Sequence, residues 1–583
     1  MVIGFFLFMA TRKEVSISPL SFLVLAMVAL GLGFFYRLPN LEWRPLHTDE
    51  AILGVKLADY WQSGHFDYDP KDYHGPGLHQ TSMLWGKLTG WGEPSTWSES
   101  HLRGVAVLCG IGVMLSGFLF ADALGRHGVA LALLMTAVSP MMVYYSRYFI
   151  MEMLLTLLVA VALGSFWRFS QGGTRLWLVG GGAALGFAHA TKETFILNVA
   201  AAWVGWAVVW LFLGGFEPQK TRSLSLGSGG KKRVIRAPWA WVLVPALVVS
   251  VASYSNGFQD WKAVQDSLWT YASYLQRSEG SGHEKPWFYY LQLLVWRKDG
   301  LVWSEAMLVF LGALGMIHAL VGQHRNSAHQ ALLVFLSIYT LALLAIYSVI
   351  SYKTPWCILS AQHALTLLAG TGAAWLWTMM RGGVAGWVYK LLLGVGIYFL
   401  CSQSKFATHE YRADQRNPYA YSHTTTDLLR LVAEVRRLAA ERGEAFQAQV
   451  INRDSGWPLP WYWRAIPHIG YQTEVPAAVE APVLIVDVDQ LPVLRTVLGS
   501  AAVDYVESGP YGLRPDLYLT LLVRKEQAAL QPRASIPLSA EAGALSPATG
   551  TLTAPPKLTP NVPVLPALPG SASPGGAALP ESR

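Results

Sequence analysis

Two adjacent acids, Asp49 and Glu50, follow His47 in the stretch "RPLHTDEAILG", just past the first apolar segment of the chain. Thr48 or Asp49 can cap the helix that this stretch predicts, worth about 1 kcal/mol. Capping needs neither a second acid nor the flanking His47, so the cluster points to chemistry. The same loop adds Asp67, Asp69, Asp72, His74 and His79. Cations recur at other turns: Arg147 in "YYSRYFIMEMLL", Lys192 in "HATKETF", Lys285 in "GHEKPWFYYL" and Lys353 in "SYKTPWCIL". Glu152 lies inside an apolar run, where a carboxylate costs about 2.5–3.5 kcal/mol on insertion scales and therefore faces a polar interior. Acids in one loop and cations at four other turns suit transfer from a phosphate-bearing donor. A carboxylate removes the acceptor's proton while cations hold the departing phosphate.

The elements that position these residues are membrane spans. Of 583 residues 52% are hydrophobic and 14% charged, against about a quarter charged in soluble proteins. A span needs roughly 20 mostly apolar residues, which places helices near 17–36, 104–121, 128–146, 149–167, 176–191, 194–213, 239–256, 302–321, 329–350, 358–379 and 384–401. The run Val15–Tyr36 reads as a retained first helix rather than a cleaved leader. With the N-terminus in the cytoplasm, every inner connection carries Lys or Arg: Arg12 and Lys13, Arg126, Arg168 and Arg175, the cluster from Lys220 to Arg236, Arg325 and Arg381. Loops 37–103 and 257–301 then lie outside, the second a possible lid, with everything after 402. Arg147, Lys192 and Lys353 break the charge rule by standing at outer turns, which suggests a shared anionic ligand.

The net charge of +7 is spread between apolar segments and is no nucleic-acid footprint. Cys109, Cys357 and Cys401 are far apart and offer no disulfide framework or CxxC metal spacing. Residues 405–525 change character: a helix over 424–443 and strands at "FQAQVIN", "APVLIVDV" and "DLYLTLLVRK" predict a small α/β domain. Its Asp487 and Asp489 fit a strand running into a loop better than a metal motif. Trp457, Trp461, Tyr462 and Trp463 offer sugar-stacking faces or packing. From 526 to 583 there are eleven prolines and no aromatic residue, the composition of a disordered tail.

In their order along the chain, "HTDEA", "YHGPGL", "SRYFIMEMLL" and "ATKET" resemble the motifs of the GT-C superfamily of polyprenyl-phosphate-sugar-dependent membrane glycosyltransferases. The likeness is to the protein-mannosyltransferase-like branch. With "KPWFYYL", "YKTPW" and the C-terminal domain, the chain is similar to a subfamily labelled flippase-activity-associated, over about residues 15–525. The resemblance implies a GT-C-like fold of about eleven transmembrane helices, residues 1–404, with a small extracytoplasmic α/β domain, 405–525. It implies inverting transfer of a sugar from a polyprenyl-phosphate donor to an extracytoplasmic glycan, lipid or protein acceptor at the plasma membrane. Asp49 would be the base, and Glu50 and Glu152 would orient acceptor or sugar. Arg147, Lys192, Lys285, Lys353 and His74 would hold the donor phosphate; His47, Glu193 and His283 would contact substrate. One departure stands out: many relatives carry Lys-Pro-Pro where this chain has His74, Pro76 and Gly77. A divalent metal on His47, Asp49 and Glu50 stays open, although users of lipid monophosphates generally need none. Two other readings compete: a lipid-linked-sugar flippase without chemistry, and an oligosaccharyltransferase-like enzyme using lipid pyrophosphate and metal.

Overall fold

A computed structural model of the protein describes residues 17–71, 74–216, 239–276, 283–299, 301–321, 327–454 and 456–525. Asp72, the basic cluster 220–236, Arg325, Arg12, Lys13, the Gly/Ser-rich half of the proposed lid and the 526–583 tail lie outside the described residues. The chain forms two compact units that divide between Thr426 and Asp427, rather than near residue 405. The reason is packing: Asn417 Nδ2 donates to the carbonyls of Ala407 and Tyr411, and Tyr145 Oη donates to that of Tyr419. Those contacts tie 405–426 to the helical unit.

In the first unit, α1 (Pro19–Arg37) starts at Ser18, whose Oγ accepts from the Ser21 amide, with Pro19 at the first helical position. It buries Ala26, Ala29, Gly33 and Tyr36 at helical spacing and leaves most of its leucines and valines on the surface, as a lipid-facing helix does. Then come α2 (Thr48–Ser63), α3 (Gly77–Thr89), α4 (Glu99–Ser116), α5 (Ala121–Val138), α6 (Pro140–Tyr145), α7 (Met151–Ser170), α8 (Leu176–His189) and α9 (Phe195–Leu213). Beyond them lie α10 (Ala240–Tyr254), α11 (Trp261–Gln276), α12 (Tyr289–Val295), a hairpin of β1 (Arg297–Asp299) and β2 (Leu301–Trp303), α13 (Ala306–Val321), α14 (Ser327–Val349), α15 (Leu359–Met380) and α16 (Gly383–Thr408).

Helices occupy all the apolar segments read from the sequence. Six helical stretches are long and apolar enough to cross a membrane, and three shorter apolar helices accompany them. One stretch, Glu99–Val138, runs 40 residues, about 60 Å if straight and twice a hydrocarbon core. It is broken at Gly125, where φ is 70° and ψ 160°, beside Arg126. The break divides it into two helical pieces. α15 is different: Ser360, Gln362, His363, Thr366 and Thr371 are buried on it. Its polar groups face partners instead of lipid, with His363 Nε2 3.1 Å from Ser116 Oγ and Gln362 Nε2 2.6 Å from Glu305 Oε2. The protein is a multi-pass membrane protein.

The second unit holds α17 (Leu428–Arg442), β3 (Ala448–Ile451), a short turn α18 (Leu459–Tyr462), β4 (Ile469–Gln472), β5 (Val483–Asp487), α19 (Leu491–Leu498), β6 (Tyr505–Arg514) and β7 (Leu517–Arg524). The sheet order is β4-β3-β5-β7-β6, with β3 parallel to both neighbours and β7 antiparallel to both of its own. Ile451, Leu484, Val486, Leu494 and Leu522 form its core. β4 and β6 were not legible beforehand, because their burial patterns mix exposed and half-buried residues. Asp487 Oδ1 accepts the Asp489 amide, closing a turn. Trp461 and Trp463 are buried, which suits packing rather than a sugar platform.

Candidate active site

The segment Arg44–Glu50 is built around a capping box. His47, not Thr48 or Asp49, is the N-cap of α2: its Nδ1 accepts the Asp49 amide at 3.1 Å, and Glu50 Oε2 accepts the His47 amide at 3.1 Å. Glu50 is fully buried and saturated. Arg103 reaches both its oxygens, Nη2 to Oε2 at 2.6 Å and Nε to Oε1 at 2.8 Å, while Arg44 Nη2 and the Phe149 amide also donate to Oε1. Burial alone would raise its pKa, but Arg103 and Arg44 outweigh burial and hold it well below the usual carboxylate range. Asp49 is turned the other way. Its side chain is 48% exposed, with Oδ2 3.6 Å from His47 Nδ1.

Two motifs far apart in sequence dock to form the next part. In "HGPG" the Gly77 amide donates to the Ala190 carbonyl at 2.7 Å. A Cβ on Gly75 would stand 2.2 Å from that carbonyl oxygen, and one on Gly77 2.3 Å from Thr191 Oγ1. Only glycine permits this approach. It sets His74 Nδ1 3.2 Å from Glu193 Oε2, while Glu193 Oε1 is buried without a hydrogen-bond partner among the described residues. The neighbouring Lys192 ammonium ion-pairs with Glu152 at the start of α7. That pair lines a cleft with Thr156, Asn198, Trp356 and Cys357.

Trp356 joins this cleft to the ring of His47. Its ring stacks on Tyr148 at 5.8 Å and meets the edge of His47 at 6.1 Å. Residues 283–285 pair with 351–353 through Lys285 N–H to the Ser351 carbonyl and Lys353 N–H to the His283 carbonyl. The Lys353 ammonium donates to the carbonyls of Lys285 and Ile350, so it clamps the loop. Lys285 Nζ lies 5.6 Å from the Tyr421 ring centroid, and His283 Nδ1 is 2.8 Å from Tyr421 Oη. Burial lowers the His283 pKa, opposed by the charge of Asp49.

Arg147 stands apart. Its Nη1 donates to the carbonyls of Tyr36 and Arg37 and its Nη2 to that of Asn40, and it lines a different cleft from Lys192. The shared ligand expected for Arg147, Lys192 and Lys353 is therefore not what the geometry offers: one caps a helix, one pairs with an acid, one clamps a loop. A metal on His47, Asp49 and Glu50 does not fit either, since Glu50 is consumed by two arginines and His47 Nδ1 by an amide. Among the described residues no three His, Cys, Asp or Glu side chains gather to hold an ion.

Tyr148, Trp356, Tyr421 and His423 were not singled out from the sequence. His423 is buried with its ring 5.6 Å from that of His47, and its Nε2 has no partner among the described residues. Burial, then Arg44 and His47, push its pKa well down, so it is a neutral imidazole. The quoted motifs "SRYF" and "YKTPW" already contained Tyr148 and Trp356; attention to charge alone passed over the rings.

Residues 79–253 match the model of the dolichyl-phosphate-mannose-protein mannosyltransferase family. No curated protein matches the chain. The fold is similar to that of ArnT from Cupriavidus metallidurans bound to undecaprenyl phosphate, with a TM-score of 0.55 at 16% identity over 86% of this chain and 98% of that one. The apo state of ArnT gives 0.55 at 17% identity over 87% and 99%. The Archaeoglobus fulgidus oligosaccharyltransferase tethered to an acceptor peptide gives 0.49 at 10% identity over 84% and 69%. The chain carries the mannosyltransferase family's sequence pattern over 79–253, and its fold is similar to that of ArnT along most of both chains.

Proposed function

We infer that the protein is an integral membrane glycosyltransferase that moves a sugar from a polyprenyl-phosphate-linked donor to an acceptor hydroxyl or amide outside the cytoplasm. The observation that carries this reading is the contrast at one helix start. Glu50 is spent on fixing the backbone, which leaves the half-exposed Asp49 carboxylate beside His47, whose ring meets Trp356 at the edge of the Lys192 cleft. Asp49 removes the acceptor's proton as the acceptor atom bonds to the anomeric carbon from the face opposite the phosphate. The bond from that carbon to the phosphate oxygen breaks, its electron pair stays on the phosphate, and the configuration inverts. Lys192 turns from Glu152 toward the departing phosphate and stabilises the charge that develops there. Lys285 and His74 add a cation and an imidazole for the donor, while Glu152, Glu193, His47 and His283 meet sugar or acceptor. Glu50 and Lys353 act as positioning residues.

The known binding of undecaprenyl phosphate by the ArnT of similar fold supports a polyprenyl carrier. The Lys and Arg distribution supports an orientation with the 37–103 loop outside, and we place the protein in the plasma membrane. Incubating the purified protein with labelled polyprenyl-phosphate sugars and following label into acceptor and free lipid phosphate tests the reading. A protein that moves lipid-linked sugar between leaflets, with no transfer to any acceptor, would replace it with the flippase.

A further inference from the structure

The cleft that holds Arg147 has no part in that reaction. Leu41, Arg44, Arg103, Tyr144, Arg147 and Arg412 surround it. Arg37, fully buried, is next to Arg147, which donates to its carbonyl, and its own guanidinium donates to the carbonyls of Gly33, Thr136 and Ala137. Five guanidinium groups thus crowd one place. Glu50 answers Arg44 and Arg103, but Arg37, Arg147 and Arg412 form no ion pair among the described residues. The carbonyl ends of α1 and α5 help, each worth about half a negative charge. About three positive charges remain uncompensated in a largely buried space. Their repulsion is felt within the cluster: burial first, then Arg44, Arg103 and Arg37, lower the Arg147 pKa.

Structural capping explains the carbonyl contacts but not the surplus. Three arginines would cap as well with a carboxylate beside them, and none pairs with them among the described residues. Arg412 is the least buried of the lining arginines and so marks the mouth. It donates through Nε to the Trp43 carbonyl and through Nη1 to that of His409, which leaves Nη2 for another acceptor. Next to this mouth Phe35, Leu38 and Trp43 are exposed, at 65%, 50% and 44%, as residues meeting lipid near the headgroup level are.

We propose that the arginine cleft is a second anion site, separate from the Lys192 cleft, that takes the phosphate group of a membrane lipid. Fork-shaped guanidinium groups match phosphate oxygens in geometry and charge. Two lipids carry that chemistry: the phosphodiester of an anionic phospholipid and the phosphomonoester of a polyprenyl carrier. The site stands whether or not Asp49 is a base, because it rests on charges the reaction does not use.

Native mass spectrometry of the delipidated full-length protein tests it, with phosphatidylglycerol, phosphatidylcholine, a polyprenyl monophosphate and inorganic phosphate as separate probes. One phosphatidylglycerol, or one polyprenyl phosphate beyond that held in the donor cleft, should be retained per chain, and Arg412→Gln should weaken that retention about tenfold, the loss of one charged hydrogen bond. Lys192→Met should remove only the polyprenyl phosphate of the donor cleft and leave this second retention unchanged. Retention of phosphatidylglycerol by Lys192→Met names a phospholipid as occupant; retention of the polyprenyl phosphate alone names the carrier. Equal retention by wild type and Arg412→Gln, or binding of inorganic phosphate only, overturns the proposal. Should Arg412→Gln fold poorly, the unaltered protein decides: lipid must slow phenylglyoxal modification of Arg412, and no protection at saturating lipid also overturns it.

Discussion

Asp49 and Glu50 share one turn of α2 but belong to opposite regions. Around Glu50 everything is closed: two arginines, two backbone amides and complete burial leave no lone pair for a substrate. Asp49 is half exposed beside His47, whose ring meets Tyr148 and Trp356, and Trp356 lines the cleft of the Lys192–Glu152 pair. The difference teaches how to read a paired acid at a membrane surface. A charge already answered by fixed partners builds the site, and the one left unanswered is available for chemistry. A buried ion pair adds little net stability, so the worth of the Glu50 cluster lies in where it holds Asp49.

The largest effect separates the two acids directly. Asp49→Asn should cost about 10²–10⁴ in transfer rate, the usual loss of a general base, with the melting temperature unchanged. Transfer near the wild-type rate by a folded Asp49→Asn protein would mean that the open acid is not the base. Glu50→Gln should do the reverse and destabilise by about 3–5 kcal/mol, because buried Arg103 loses its counter-charge. The pH dependence follows from the depressed pKa of Glu50. Its contribution is complete above the ordinary glutamate pKa of about 4.3 and is lost as pH falls below it toward the depressed value. The gap in melting temperature between wild type and Glu50→Gln should therefore be wide at neutral pH and narrow in acid. A gap independent of pH would refute the ion-pair account.

Next comes the far side of the open region. Lys192→Met should raise the donor KM about 10–100-fold, the worth of a charged hydrogen bond, and leave the acceptor KM nearly unchanged. Equal rises for both substrates would show that Lys192 holds the loop rather than the phosphate. The docking of the two motifs gives a milder test. Gly75→Ala forces a Cβ against the Ala190 carbonyl, and overpacking of this kind costs about 1–3 kcal/mol. Both stability and turnover should fall, because the turn that carries Lys192 is displaced. Normal turnover in Gly75→Ala would mean that the turn tolerates the shift.

Much of this was legible beforehand, for a physical reason. Long apolar runs have few alternatives in a membrane, so every span drawn from the sequence coincides with a helix. The motifs also pointed to residues that pair in the fold, Lys192 with Glu152 and His74 with Glu193. What the chain could not declare was pairing. A lone Arg147 at a turn looks the same whether it meets a phosphate or the carbonyls of Tyr36 and Arg37, and only the end of α1 decides. Arg103 was passed over because it opens a helix as one more flanking cation, while its partner lies 53 residues earlier. Tyr421 and His423 sit in a stretch with no periodicity, which was assigned to the C-terminal domain although it packs with the helices.

The smallest effect concerns that stretch. Tyr421 Oη and His283 Nδ1 are 2.8 Å apart, and Lys285 rests over the same ring. The described flank of the 257–301 loop is thus held from two sides, by the 351–353 segment and by Tyr421. Removing one neutral hydrogen bond costs about 0.5–1.5 kcal/mol, while Phe keeps the ring beneath the Lys285 ammonium. Tyr421→Phe should therefore change KM for the donor by no more than about tenfold and leave the rate at saturating donor intact. Tyr421→Ala removes the ring as well and should add a further loss through Lys285, since the cation–π contact is worth about 0.5–1 kcal/mol at a partly exposed site. A larger loss in Phe than in Ala, or a fall in saturating rate with either, would move Tyr421 from the rim of the open region to its reacting centre. It would then stand beside Asp49, whose charge already reaches His283.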